Sequence, residues 1–179
     1  MRVLDIGKTR ETNSQHVQDI MCSLPCLDVF SAGILMEEDT LDDPRPWICQ
    51  KLSSLTIDIV PTATSSQAAI FDRIAGLKFL RTLNLSSDLP QACLHLTFRL
   101  DCGLDRLGTL RHLTFLMLLR TSQDMTKEDI EWVLEKWPQL MRFDAIYHRD
   151  PERDKSLKQL LNEGRAVYGA QSAVGIICN

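Results

Sequence analysis

The feature that most limits the folds open to this chain is an apolar triplet of the form L-x-x-L-x-L that recurs five times. It reads Leu24-Leu27-Val29, Leu52-Leu55-Ile57, Leu80-Leu83-Leu85, Leu113-Leu116-Leu118 and Leu140-Phe143-Ala145. The middle members, at 27, 55, 83, 116 and 143, stand 28, 28, 33 and 27 residues apart. Leu4 and Ile6 supply a truncated copy 23 residues before Leu27. Repetition at this period marks units that cannot cover their apolar faces alone and must stack.

Between the triplets the apolar period changes from that of a strand to that of a helix. Val17, Ile20, Met21 and Leu24 fall at i, i+3, i+4, i+7, with Ser14 as N-cap. Ile70, Ile74 and Leu77 repeat the pattern, and so do Ile130, Val133, Leu134 and Trp137. Thr126 and Asp129 form a capping box with Asp in place of the usual Glu. Helices are therefore expected near 14–23, 66–76, 126–136 and 151–163, and strands near 3–6, 26–30, 54–58, 82–86, 115–119 and 142–146. Each unit is a strand plus a helix. The expected fold class is α/β: a leucine-rich-repeat solenoid, with a parallel sheet on the concave face and helices on the convex face.

Two stretches break the rhythm. Gly33 to Arg45 is acidic and irregular and reads as a loop with one short turn. Leu89 to Gly103 is an insertion in which Leu94, Leu96, Phe98 and Leu100 alternate with polar residues, the period of an extended segment. Leu104, Leu107 and Leu110 then step by three. At the end, Asp150 and Pro151 suit a helix start and Gly164 a helix stop. Residues 1–164 are expected to form the repeat domain, closed by a helical cap over 151–163, with 165–179 as a tail. The first strand starts at residue 3 with no polar cap before it, so the chain is expected to be the C-terminal part of a longer solenoid or a shortened product.

Composition excludes several classes of function. The 20 basic and 24 acidic residues give a net charge of -4, where a nucleic-acid or anionic-membrane partner calls for a basic excess. The most continuous apolar stretch, Leu113 to Leu119, spans seven residues with Thr114 within it, against the ~20 of a membrane span. No secretory signal opens the chain, so a reducing cytoplasmic or nuclear setting is expected, with Cys22, Cys26, Cys49, Cys93, Cys102 and Cys178 as free thiols. Pro25 ends the helix between Cys22 and Cys26, and His16 alone cannot complete a zinc site. Metal, cofactor and catalytic residues are expected to be none. Cys93 and His112 are the pair that a Cys–His nucleophile would use, but any two of ten Cys and His often look suggestive, and the small-residue run Gly169 to Gly175 lacks the Lys-Ser/Thr of a phosphate loop. Trp132 and Trp137 read as core.

Four phrases carry a resemblance: "SQHVQDIMCSLPCLDVFSA" (14–32), "PWICQKLSSLTIDI" (46–59), "GLDRLGTLRHLTFLMLLRT" (103–121) and "MTKEDIEWVLEKWPQL" (125–140). Over roughly residues 3–163 the chain resembles fungal F-box and ribonuclease-inhibitor-like leucine-rich-repeat proteins of the Mucoromycota type. In that family an N-terminal F-box holds the Skp adaptor of a cullin ubiquitin ligase, and the repeats recruit the substrate. This sequence has no F-box-like segment ahead of its repeats, and the Asn or Cys that usually follows each strand is missing. The resemblance implies a protein-binding module, with ubiquitin-ligase components as partners through an upstream F-box. A scaffold with no ubiquitin link is the alternative.

Strand alternation names the binding face. Residues between the triplet positions point away from the core and make three rows. They are expected as Val3, Cys26, Ser54, Thr82, Phe115 and Arg142; then Asp5, Asp28, Thr56, Asn84, Met117 and Asp144; then Gly7, Phe30, Asp58, Ser86, Leu119 and Ile146. The expected protein contacts are Asp28, Phe30, Asp58, Asn84, Phe115, Met117, Leu119, Arg142, Asp144 and Ile146, with Asp28 and Asp58 steering a basic group.

Overall fold

The computed structural model describes residues 2–7, 13–61, 67–86 and 95–174. Six strands, β1 (Val3–Asp5), β2 (Val29–Met36), β3 (Ser54–Val60), β4 (Thr82–Asn84), β5 (Phe115–Ser122) and β6 (Arg142–Ile146), form one sheet in chain order. Every neighbouring pair is parallel. Parallel neighbours need long crossovers. These hold α1 (Ser14–Ser23), α2 (Glu37–Asp42), α3 (Ala68–Ala75) and α4 (Lys127–Lys136), and α5 (Pro151–Val174) follows the last strand.

The repetition extends to individual backbone hydrogen bonds. The amides of Ser53 and Ser54 both donate to the carbonyl of Asp28, at 2.8 and 3.2 Å. Arg81 and Thr82 do the same to Ser53, Thr114 and Phe115 to Arg81, and Met141 and Arg142 to Thr114. One turn earlier, Leu27, Leu52, Leu80, Leu113 and Leu140 each donate to the carbonyl three residues back, at 2.9–3.3 Å. The first triplet leucine thus closes the turn that launches each strand.

This pattern corrects the expected frame of the second unit. Leu4 lies opposite Phe30, and Phe30 opposite Leu55, so the triplet there is Leu27-Phe30-Ala32 rather than Leu24-Leu27-Val29. The anchors Leu4, Phe30 and Leu55 are then 26 and 25 residues apart, more even than the 23 and 28 of the earlier frame. Leu24 instead caps the C-terminus of α1.

Phe30, Leu55, Leu83 and Leu116 are fully buried side by side on one sheet face, with Phe143 at the end of the row. Val17 and Met21 of α1, Ile70, Phe71 and Ile74 of α3, and Ile130 and Val133 of α4 bury against the same layer in one continuous core. Trp137 belongs to this core, its indole N–H donating to the Leu107 carbonyl at 3.2 Å.

The rhythm breaks are more ordered than expected. Gly33–Met36 extends β2 past a register shift between Ser31 and Ile34, and α2 follows at once. Of the insertion, residues 89–94 lie outside the described part, and 95–99 run extended without joining the sheet. Side chains supply the hydrogen bonds a ladder would. Gln67 accepts from the Thr97 amide at 2.9 Å and donates to its carbonyl at 2.7 Å. Gln123 accepts from the Phe98 amide and Asp129 from the Leu100 amide, both at 2.8 Å. Such partners satisfy backbone groups that water cannot reach. Leu96 and Phe98 point into the core, with Phe98 edge-on to Phe71 at 5.2 Å. A short 3-10 helix, Leu104–Thr109, comes next, and its three-residue period is the step of Leu104, Leu107 and Leu110. Residues 95–109 therefore occupy the helix layer of the fourth unit.

At the far end, Asp150 accepts from the amides of Glu152 and Arg153 at 2.9 and 3.2 Å, starting α5 as expected. Gly164 does not stop it: the helix continues to Val174, past the expected helix end at 163. A Cβ on Gly164 would sit 2.2 Å from Leu134 Cδ1, so its absence lets α5 pack closely on α4. No helix among the described residues is long and apolar enough to cross a membrane.

Candidate interaction face

The sheet face opposite the core is set by register. Its first row is Val3, Val29, Ser54, Thr82, Phe115 and Arg142. Its second is Asp5, Ser31, Thr56, Asn84, Met117 and Asp144. Five of the six expected members of each of these two rows therefore stand where alternation put them; the member from the second unit does not. Val29 replaces Cys26, and Ser31 replaces Asp28.

Phe30 is the clearest correction, because it is fully buried in the core rather than presented to a partner. Asp28 lies before β2, where its carboxylate accepts from the Ser53 hydroxyl at 2.6 Å, a local bond that ties one strand start to the next. Asp58 is on the face, half-buried, opposite Ile34. Ile146 pairs with Ser122 because the register shifts between Leu118 and Ser122, so it is not in line with Leu119. The side chain of Leu119 lies outside the described part. Cys93 and Cys178 also lie outside it, and Cys22, Cys26, Cys49 and Cys102 are free thiols. His112 stacks in parallel on Phe79, with ring centroids 6.1 Å apart.

The chemistry of the face changes along the stack. Its centre is Ser54, Thr56, Thr82 and Asn84, all half-buried. Asn84 accepts from the Ser86 amide at 3.0 Å. Toward β5 the face turns apolar, with Phe115 37% exposed, Met117 beside it on the same strand and Ile146 41% exposed on β6. Arg142 and Asp144 follow as an ion pair at 2.6 Å, so each charge is partly neutralised by the other. Val3 and Ile34 add exposed apolar groups at the other end. Ile34, Val29 and Ser31 are face residues that the sequence reading missed. The signal for them was the alternative triplet Leu27-Phe30-Ala32, hidden because only one of its members is Leu.

The arrangement offers an apolar contact flanked by hydrogen-bonding and charged groups. That is the make-up of a binding surface. Comparison of the chain with protein-family models, with curated proteins and with solved structures finds no match.

Proposed function

We propose that the chain is a leucine-rich-repeat solenoid that acts as a protein-binding module, by contact and without catalysis, through the concave face of its sheet. The observation that carries this reading is the exposed Phe115, with the half-buried Met117 two residues along the same strand, next to a stretch of the face lined by Ser, Thr and Asn. Adjacent apolar groups open to solvent on a sheet face mark interaction sites. The hydrogen-bond pattern repeated from unit to unit and the anchor spacing support the solenoid reading. The fitting partner is a protein that seats an apolar side chain over Phe115 and Met117 and reaches toward Asp144 with a polar or basic group. With an F-box in the same assembly, the module would select substrates for ubiquitylation, as the sequence resemblance implies.

The test is a double substitution, Phe115→Ala with Met117→Ala, compared with the wild type in quantitative affinity purification and in thermal unfolding. Proteins enriched by the wild type should be lost from the variant, while stability changes by less than about 1 kcal/mol, as for surface positions. A large drop in stability would make the patch core and remove the reading. Mixing the chain with purified Skp adaptor checks the ligase link separately.

A further inference from the structure

A second region draws on residues far apart in sequence. The connections that follow β5 and β6 lead into α4 and α5 and, with Arg99 from the insertion, enclose a cavity of about 530 Å³. Arg99, Lys127, Arg149 and Arg153 line it together with His148, against one carboxylate, Asp124. A chain with net charge -4 therefore gathers four permanent cations at one concavity.

The donors there are only partly used. Arg99 reaches Asp101 with Nη2 at 2.5 Å, yet its Nε is buried with no hydrogen-bond partner. Arg149 is held by Asp124 through Nε at 2.9 Å, which leaves the other guanidinium N–H groups for a ligand. Asp124 is itself fixed: it accepts from the Ser122 hydroxyl at 2.9 Å and the Arg149 amide at 3.1 Å, with its backbone at φ 46. Lys127 meets Glu131 at 3.3 Å in an exposed pair, the kind that contributes little and is readily given up. The Asp150 amide donates to His148 Nδ1 at 2.9 Å, so the ring proton sits on Nε2 and His148 is also a donor.

The helix starts beside the cavity are not what makes it a site. The Thr126–Asp129 capping box closes α4, and Asp150 caps α5. Side chains must do the binding. Three guanidinium groups and an ammonium match the several oxygens of a compact dianion better than a single carboxylate. A nucleic-acid backbone calls for a basic stripe instead, and the cations here converge on one cavity.

We propose that this cavity binds a phosphomonoester-class anion, either free phosphate or a phosphorylated side chain of a partner protein. The proposal stands independently of the sheet-face reading, since none of its residues belongs to that face.

The experiment is an amide-resolved NMR titration of the whole chain at constant ionic strength. Its arms are inorganic phosphate, a phosphoserine peptide and the same peptide unphosphorylated. Saturable shifts should appear in residues 124–127 and 148–153, with phosphate, with phosphopeptide or with both, and not with the unphosphorylated peptide. Tighter binding of the phosphopeptide identifies a modified partner chain as the source, and equal or tighter binding of phosphate a small free anion. Lys127→Gln with Arg153→Gln, both exposed positions, should weaken binding about tenfold or more. The distant control Lys51→Gln with Lys78→Gln should leave it unchanged. Non-saturable shifts in every arm, or an affinity unaltered in the Lys127/Arg153 variant, would overturn the proposal.

Discussion

At the scale of single residues, burial and pairing make separable predictions. Leu83 is fully buried in β4, between Leu55 and Leu116 of the flanking strands. Leu83→Ala should therefore cost ~2–5 kcal/mol, the transfer loss plus the cavity left behind. Denaturant titration measures this, and a cost under about 1 kcal/mol would mean that the layer collapses around the gap. Asp43 illustrates pairing. Arg45 donates Nε to both of its carboxylate oxygens at 3.0 Å and its amide to one at 2.9 Å. These bonds hold the Asp43 carboxyl down at about 2, against an ordinary 3.8. The folded form thus binds fewer protons than the unfolded form between those values. The resulting stability is present above about pH 4 and is lost as pH falls toward 2. Asp43→Asn should flatten the pH dependence of unfolding over that window, and parallel curves for variant and wild type would show that the pairing contributes nothing to it.

At the scale of elements, the insertion is held by side chains, and that is testable. Gln123 is almost fully buried and accepts from the Phe98 amide. Gln123→Leu keeps the bulk but leaves that N–H without its acceptor, at a cost of about 1–3 kcal/mol. A change below about 0.5 kcal/mol in urea unfolding would show that the segment shifts to find water. The same elements show what could be read in advance. Leu55, Leu83, Leu116 and Phe143 were legible as adjacent anchors, because three of these units have aliphatic residues at every triplet position. The Thr126–Asp129 capping box was legible because its signal is local. The second unit was not, because Leu24, Leu27 and Val29 satisfy the spacing as well as Leu27, Phe30 and Ala32 do. An offset of three is odd, and side chains alternate with period two, so the slip moved Phe30 from core to surface. The partners of the insertion, Gln67, Gln123 and Asp129, could not be read either, nor the cations of the cavity. Both depend on which units are neighbours in space, and no local pattern encodes that.

At the scale of the whole molecule, the close contacts between elements join neighbours in the stack: each strand with the next, α1 with α2, α2 with α3, and α4 with α5. On the solenoid reading proposed above, stability is approximately a sum of unit and nearest-neighbour contributions, so it should decline toward a strand paired on one side among the described residues. The two ends differ. Beyond β6, α5 packs Leu157 and Leu161 inward and closes on Leu134 at Gly164. At the other end β1 is three residues long and, among the described residues, pairs with β2 alone. Three backbone bonds of similar length compare the positions: Ile6 to Ser31 at 2.8 Å, Leu85 to Met117 at 2.9 Å and Met125 to Tyr147 at 2.7 Å. Bond length does not distinguish them, so any difference in exchange reports the cost of opening each unit. Native-state hydrogen exchange should be fastest at Ile6, because opening β1 disrupts one interface, whereas freeing Leu85 disrupts two. Met125 should be protected nearly as well as Leu85, since α5 stands in for a further unit. Equal protection at Ile6 would mean that the free edge is covered in solution. In that case the protection should fall on dilution if a second copy covers it, and a fast Met125 would instead show that α5 does not close the stack.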